Sequence, residues 1–274
     1  MSQPTNSIAA SESAVAAAAD RLAAAAAAGV PCAPIRELIG ADNLEAAYAV
    51  QQRFNDLRVR AGARVVGRKI GLTSKAVQEQ LGVGQPDLGV LFDEMEFADG
   101  SDIPMSRLIQ PKIEGEVGFV LGADLVDGPL DAAQVRGAID YAVASLEICD
   151  SRITDWDIRF GDTVADNASS GVYVLGTERR TLDEVEPVEV TMSMSVNGTE
   201  VSSGNGAACL GDPIAAVVWL AQTARELGQP LRAGQVILSG ALGPMAPVSS
   251  GDTVVVTVSG LGSVTAHFTE GENA

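Results

Sequence analysis

The stretch 110-QPKIEGEVGFVLGADL-125 decides the fold and poses a physical difficulty. Read with a period of two, Ile113, Val117, Phe119 and Leu121 fall on one face of a strand and Glu114 and Glu116 on the other. An apolar run of this kind belongs in a core, yet burying an unpaired carboxylate is costly. Two carboxylates this close cannot both stay ionised cheaply unless a cation lies between them. Gly115 carries no side chain and leaves room for something to approach. The competing reading is a solvated strand edge with Lys112 as salt-bridge partner.

Outward from this strand, the pattern from about residue 88 is mainly β. Strands are predicted at 89-GVLF-92, 145-SLEICD-150, 171-GVYVLG-176, 190-VTMSMSVNG-198, 235-QVILSG-240, 252-DTVVVTVSG-260 and 262-GSVTAHF-268. Asn197-Gly198 marks a hairpin turn. Helices are predicted at 131-DAAQVRGAIDYAV-143 and at 212-DPIAAVVWLAQTARELG-228, the second opened by Asp212-Pro213. Upstream, 13-SAVAAAADRLAAAAAAG-29 and 43-NLEAAYAVQQRFNDLRVRAG-62 read as helices closed by Gly29 and Gly62. A short strand at 64–72 and a brief helix at 74–82 follow. Helices that interrupt the strands at uneven intervals argue against regular βαβ alternation. The fold class is therefore α+β, a helical N-terminal subdomain leading into a mixed, curled β-domain. The expected division is 1–30, an Ala-rich segment that is helical or partly disordered; 31–87, the helical subdomain; and 88–270, the β-domain.

Charge and composition exclude several functions. The 274-residue chain carries a formal charge of −18 with no Lys/Arg cluster, which argues against nucleic acid or an anionic membrane as partner. Cys32, Cys149 and Cys209 are far apart and form no CxxC, so neither a disulfide framework nor a zinc site is expected. The N-terminus does not read as a signal peptide, and a cytoplasmic protein is expected. His267, the only histidine, lies in an alternating strand with no nucleophile elbow, and is read as a partly exposed strand residue. No phosphate-binding glycine loop is present.

The acids and one lysine remain. Glu147, in 145-SLEICD-150, is a third carboxylate in an apolar run. Three carboxylates make a hard oxygen site suited to Mg²⁺ or Mn²⁺. Lys69 is a lone charge between Val65-Val66 and Ile70, followed by a Gly-Leu-Thr turn containing Leu72; its alternative is a strand-end lysine reaching solvent. Asp87 sits in the 85-QPD-87 turn and, alone, would be only a turn aspartate.

Four stretches together, 67-GRKIGLTSKAVQEQLGVGQPDLGVLFDEM-95, 110–125, 146-LEICDSRITDWDIRFGDTVADNASSGVYVLG-176 and 237-ILSGALGPMAPVSSGDTVVVTVSGLGSV-264, resemble the 2-keto-4-pentenoate hydratases of the fumarylacetoacetate hydrolase superfamily. The similarity runs in order from about residue 40 to 268. It implies a mixed β-roll of the fumarylacetoacetate hydrolase C-terminal-domain type. It implies a divalent metal, Mg²⁺ or Mn²⁺, on Glu114, Glu116 and Glu147, with Lys69 and Asp87 as catalytic residues. Leu72, Ser169, Ser170 and Ser239 are the expected substrate contacts. A desolvated lysine beside such a cation has a depressed pKa suited to acid–base work. The implied substrate is a small anionic 2-hydroxydienoate from the meta-cleavage of aromatic compounds. The implied assembly is a homo-oligomer, a ring or larger, associating with a pathway decarboxylase or aldolase. The sister activity, 2-oxo-3-hexenedioate (4-oxalocrotonate) decarboxylation, and a silent scaffold subunit are the alternatives.

Overall fold

A computed structural model describes residues 10–74, 78 and 84–271 of the chain; nearly all of the helix predicted over 74–82 lies outside them. Helix α1 (Glu12–Ala28) starts where the Ser11 side chain accepts the Ala14 N–H, and stops at Gly29 in the left-handed conformation. A one-turn helix α2 (Arg36–Ile39) leads to α3 (Leu44–Arg60), whose Asn43 side chain accepts the Ala46 N–H. Ala18, Ala19 and Leu22 of α1 share a core with Ala47, Val50 and Phe54 of α3. The Ala-rich tract is thus a packed helix with a buried face.

Two sheets form the β-domain. The larger runs β2 (Asp87–Phe92), β1 (Val65–Gly71), β10 (Val236–Ala241), β5 (Pro111–Leu121), β6 (Ile139–Asp150), β7 (Ser170–Leu175) and β3 (Glu96–Phe97), with β11 (Ala246–Pro247) also paired to β5. The smaller runs β4 (Asp102–Pro104), β13 (Gly262–Thr269), β12 (Thr253–Val258), β8 (Thr191–Val196) and β9 (Thr199–Asn205). Parallel pairs β1–β10, β3–β7 and β4–β13 make both sheets mixed. This is the α+β roll expected, although β1 lies in the large sheet between β2 and β10. The hairpin β8–β9 turns at Asn197-Gly198, both with positive φ.

One predicted element changes type partway. Helix α4 covers Ala132–Ala138 only, and from Ile139 the chain enters β6. Ile139, Tyr141 and Val143 favour extended backbone, and pairing of Ile139–Val143 against Gly118–Leu121 of β5 decides the matter. Helices α5 (Phe160–Ala165) and α6 (Pro213–Glu226) follow; α6 buries Ile214, Val217 and Leu220 in the main core.

Strand β5 corrects two expectations. Ile113, Val117 and Phe119 do line the core, but the opposite face is equally sheltered: Glu114 is 5% exposed and Glu116 0%. The solvated-edge alternative is therefore excluded. Gly115 does not open space between the carboxylates, because its hydrogen points to the other face. A methyl group there would lie 3.0 Å from Val256 Cγ2 and 3.3 Å from Met192 Cγ. What approaches Gly115 is the second sheet.

Candidate active site

Cross-strand register assembles the acids. In the β5–β6 ladder Glu114 stands opposite Glu147, and Glu116 opposite Ser145. The two-residue rule that aligns Glu114 with Glu116 also aligns Glu147 with Cys149, so Cys149 joins the same face. Donor atoms of Glu114, Glu147 and Cys149 lie within 4.8 Å of one another, and all three residues are buried. The Cys149 thiol faces Glu114 Oε1 at 3.7 Å. Glu116 Oε2 accepts the Gly240 N–H at 2.8 Å, where β10 departs from regular pairing.

Lys69 enters from β1. Its Nζ donates to the Ala168 carbonyl at 2.8 Å and stands 3.0 Å from Glu147 Oε1, an ion-pair distance without hydrogen-bond alignment. At 2% exposure it does not reach solvent, which removes the strand-end alternative. Asp87, at the start of β2, accepts from Thr163 at 3.2 Å, and Thr163 contacts the Ser169 hydroxyl at 3.3 Å. Gly71 makes room for this group, since a methyl there would fall 2.3 Å from Asp87 Oδ1.

Burial and mutual repulsion dominate the electrostatics. Burial first, then the Glu147 charge, pushes Glu114 up to about 7, with Lys69 opposing. Burial, then the Glu147 and Glu114 charges, hold Glu116 well above the usual carboxylate range. Burial also raises Asp87, against the pull of Lys69 and Thr163. Lys69 is raised in the absence of a cation. Burial disfavours its ammonium, but the surrounding anions, Glu147 foremost, outweigh that and raise its pKa. A depressed value requires the added charge of a cation.

The donor set fits a divalent cation. Glu116 Oε1, both Glu147 oxygens and Asp87 Oδ1 are buried without a hydrogen-bond partner, and the single ammonium of Lys69, 3.0 Å from Glu147 Oε1, does not offset so many buried carboxylate oxygens. A cavity of about 430 Å³ opens beside them. Lys69, Leu72, Asp87, Glu114 and Ser169 line it, as do Thr163, Lys112, Cys149, Trp156 and Met245, which sequence reasoning did not select. The Lys112 ammonium stands over the Trp156 ring, 4.3 Å from its centre. Cys149 was discoverable from its spacing to Glu147, but no spacing marks Thr163 or Met245.

Two expected contacts stand apart from the cavity wall. The Ser170 hydroxyl donates to the Asn167 carbonyl at 2.6 Å, and Ser170 faces a second cavity beside Arg152. Ser239 is fully buried with an unpartnered hydroxyl, next to the Gly240 that holds Glu116.

Residues 64–269 match the model of the fumarylacetoacetate (FAA) hydrolase C-terminal family. The chain is 53% identical over 251 residues to the TodF product hydratase of Pseudomonas putida, covering 92% of this chain and 94% of that protein. It is 54% identical over 240 residues to a 2-keto-4-pentenoate hydratase of Paraburkholderia xenovorans, covering 88% and 89%. Among solved structures, 4-oxalocrotonate decarboxylase from Pseudomonas putida G7, complexed with magnesium and adipate, superposes with a TM-score of 0.90. Identity to it is 34%, over 94% of this chain and 98% of that one. The chain belongs to the fumarylacetoacetate hydrolase family, within its 2-keto-4-pentenoate hydratases.

Proposed function

We propose that this protein is a metal-dependent hydratase that adds water to a 2-hydroxy-2,4-dienoate and yields a 4-hydroxy-2-oxoacid in aromatic meta-cleavage catabolism. The observation that carries this reading is the set of buried carboxylate oxygens on Glu116 and Glu147 that accept no hydrogen bond, beside Glu114 and a buried Lys69 paired with Glu147. Glu114, Glu116 and Glu147 are the ligands, and Mg²⁺ or Mn²⁺ is the ion suited to an all-oxygen set. A bound divalent cation supplies Lewis acidity toward the substrate's carboxylate and 2-oxygen.

The remaining chemistry falls to the chain's own groups. Lys69 moves the proton that leaves the 2-hydroxyl and reaches C5, giving a 2-oxo-3-enoate with an electrophilic C4. Asp87, fixed by Thr163 and left with one oxygen that accepts no hydrogen bond, orients the water that adds at C4. Ser169 and the backbone at Leu72 grip the substrate carboxylate. The apolar walls from Ile158 and Met245 shelter the diene. No covalent nucleophile is needed. The working form is a cytoplasmic homo-oligomer, a ring or larger, associated with a decarboxylase or aldolase of the same route.

Stripping divalent metal with chelator removes activity, and Mg²⁺ or Mn²⁺ restores it; Glu114→Gln prevents recovery. Full turnover in excess chelator defeats the reading. The decarboxylase alternative rests on the 0.90 structural likeness and is separated by product: water addition against CO₂ release. Relatives named hydratases at 53% and 54% identity weigh against the decarboxylase, related at 34%.

A further inference from the structure

The carboxylate face of β5 and β6 carries one donor that hydration does not use. Cys149 stands two residues beyond Glu147 on β6, opposite Lys112 of β5, and its side chain shares the cavity with Glu114. It is 4% exposed, and its sulfur lies 3.7 Å from Glu114 Oε1. A zinc ion takes oxygen at about 2.0–2.2 Å and thiolate sulfur at about 2.3 Å, which puts neighbouring donors on the order of 3.5 Å apart. The sulfur–oxygen separation already matches. Both Glu147 oxygens are buried without a hydrogen-bond partner, and all three donor atoms lie within 4.8 Å of one another.

We propose that the centre holds two overlapping ligand sets, and that Glu114, Glu147 and Cys149 form a second one selective for thiophilic divalent cations such as Zn²⁺ and Cd²⁺. Glu114 and Glu147 are common to both sets. A hard cation takes Glu116 as its third protein ligand, because magnesium has little affinity for sulfur. A thiophilic cation takes Cys149 instead: the sulfur–metal bond forms, the S–H bond breaks, and the proton passes to solvent. Glu116 then keeps its Gly240 hydrogen bond. Occupancy by such an ion excludes the hard cation, since two ligands are shared. The protein is therefore inhibited by zinc or cadmium at concentrations that leave an all-carboxylate site working.

This inference rests on the metal-dependent reading above, and one experiment separates the two. Co²⁺ is titrated into the metal-free full chain while thiolate-to-cobalt charge-transfer absorption is followed in the near ultraviolet. Cys32→Ser serves as parent because Cys32 is the one cysteine that is not buried. The expected result is a charge-transfer band saturating at one ion per chain, abolished by Cys149→Ser. In calorimetry, Cys149→Ser weakens Zn²⁺ binding by at least tenfold and shifts Mg²⁺ binding by less than threefold. Cobalt bound stoichiometrically with no such band, or equal Zn²⁺ affinity in parent and Cys149→Ser, overturns the second ligand set alone. Failure of the parent to bind any divalent ion overturns the metal reading itself. Cys149→Val, which retains side-chain bulk, checks that lost Zn²⁺ binding is not lost folding.

Discussion

Glu114 is where the residue-level physics is sharpest. Its carboxyl sits opposite Glu147, buried, with a pKa raised from 4.5 to about 7 by burial and by that neighbour. A folded-state pKa above the unfolded one means the folded protein binds the proton more tightly. The resulting stability is fully present below about pH 4.5 and is lost as pH rises through about 7. The metal-free protein should therefore melt at lower temperature at pH 8 than at pH 5.5, and saturating Mg²⁺ should abolish most of that difference. The same proton competes with the ion, so Mg²⁺ affinity measured by calorimetry should fall by up to tenfold per unit below about pH 7, with proton release on binding. Lys69→Met should leave Mg²⁺ bound but reduce kcat by at least about a hundredfold, the scale of general acid–base catalysis.

At the scale of elements, the turn after α5 holds the lysine in place. Asn167, Ala168 and Ser169 all have positive φ, between 50° and 55°. Left-handed backbone costs about 1–2 kcal/mol per non-glycine residue, so the surroundings must enforce it. Asn167 supplies the clamp: its amide accepts from the Val90 N–H at 2.8 Å and donates to the Val90 carbonyl at 2.9 Å, and Asn55 donates to it at 3.0 Å. The clamp presents the Ala168 carbonyl to Lys69 Nζ. Asn167→Ala should cost about 2–4 kcal/mol in denaturant titration, from buried backbone groups left unpaired. It should lower kcat by more than it changes KM, because the lysine is displaced while the carboxylates stay. Strand β5 offers a parallel test: Gly115→Val should destabilise by at least about 1–3 kcal/mol, since the added side chain meets Val256 and Met192.

Across the whole molecule, three packed layers bring distant segments to one cavity. The second sheet backs β5: Met192, Val254 and Val256 share a core with Val117 and Phe119. The helical layer backs α5 instead, since Val164 and Ala165 share a core with Leu22, Ala47 and Phe54. The Ala-rich helix thus supports the element carrying Thr163, the partner of Asp87. Leu22→Ala should cost about 2–5 kcal/mol by leaving a cavity, read as a lower denaturant midpoint at unchanged slope.

The acids, the lysine and the strand that carries two of them were legible without coordinates. Alternation around Glu114 and Glu116, the lone charge at Lys69 and the helix start at Asp212-Pro213 are local signals, governed by backbone geometry and short-range hydrogen bonds. The extent of α4 was not legible, because Ile139–Val143 can extend either helix or strand until β5 is present to pair with it. The role of Gly115 was misread for the same reason, since the atoms that need its space belong to residues 192 and 256. Cys149 followed the same periodicity as the glutamates, but only pairing with β5 sets it beside Glu114. Thr163, Trp156 and Met245 reach the cavity through loops and helix ends whose course no periodicity encodes. Sequence determined which groups could do the chemistry; tertiary packing decided which of them meet, because proximity across elements is fixed by strand register and sheet stacking.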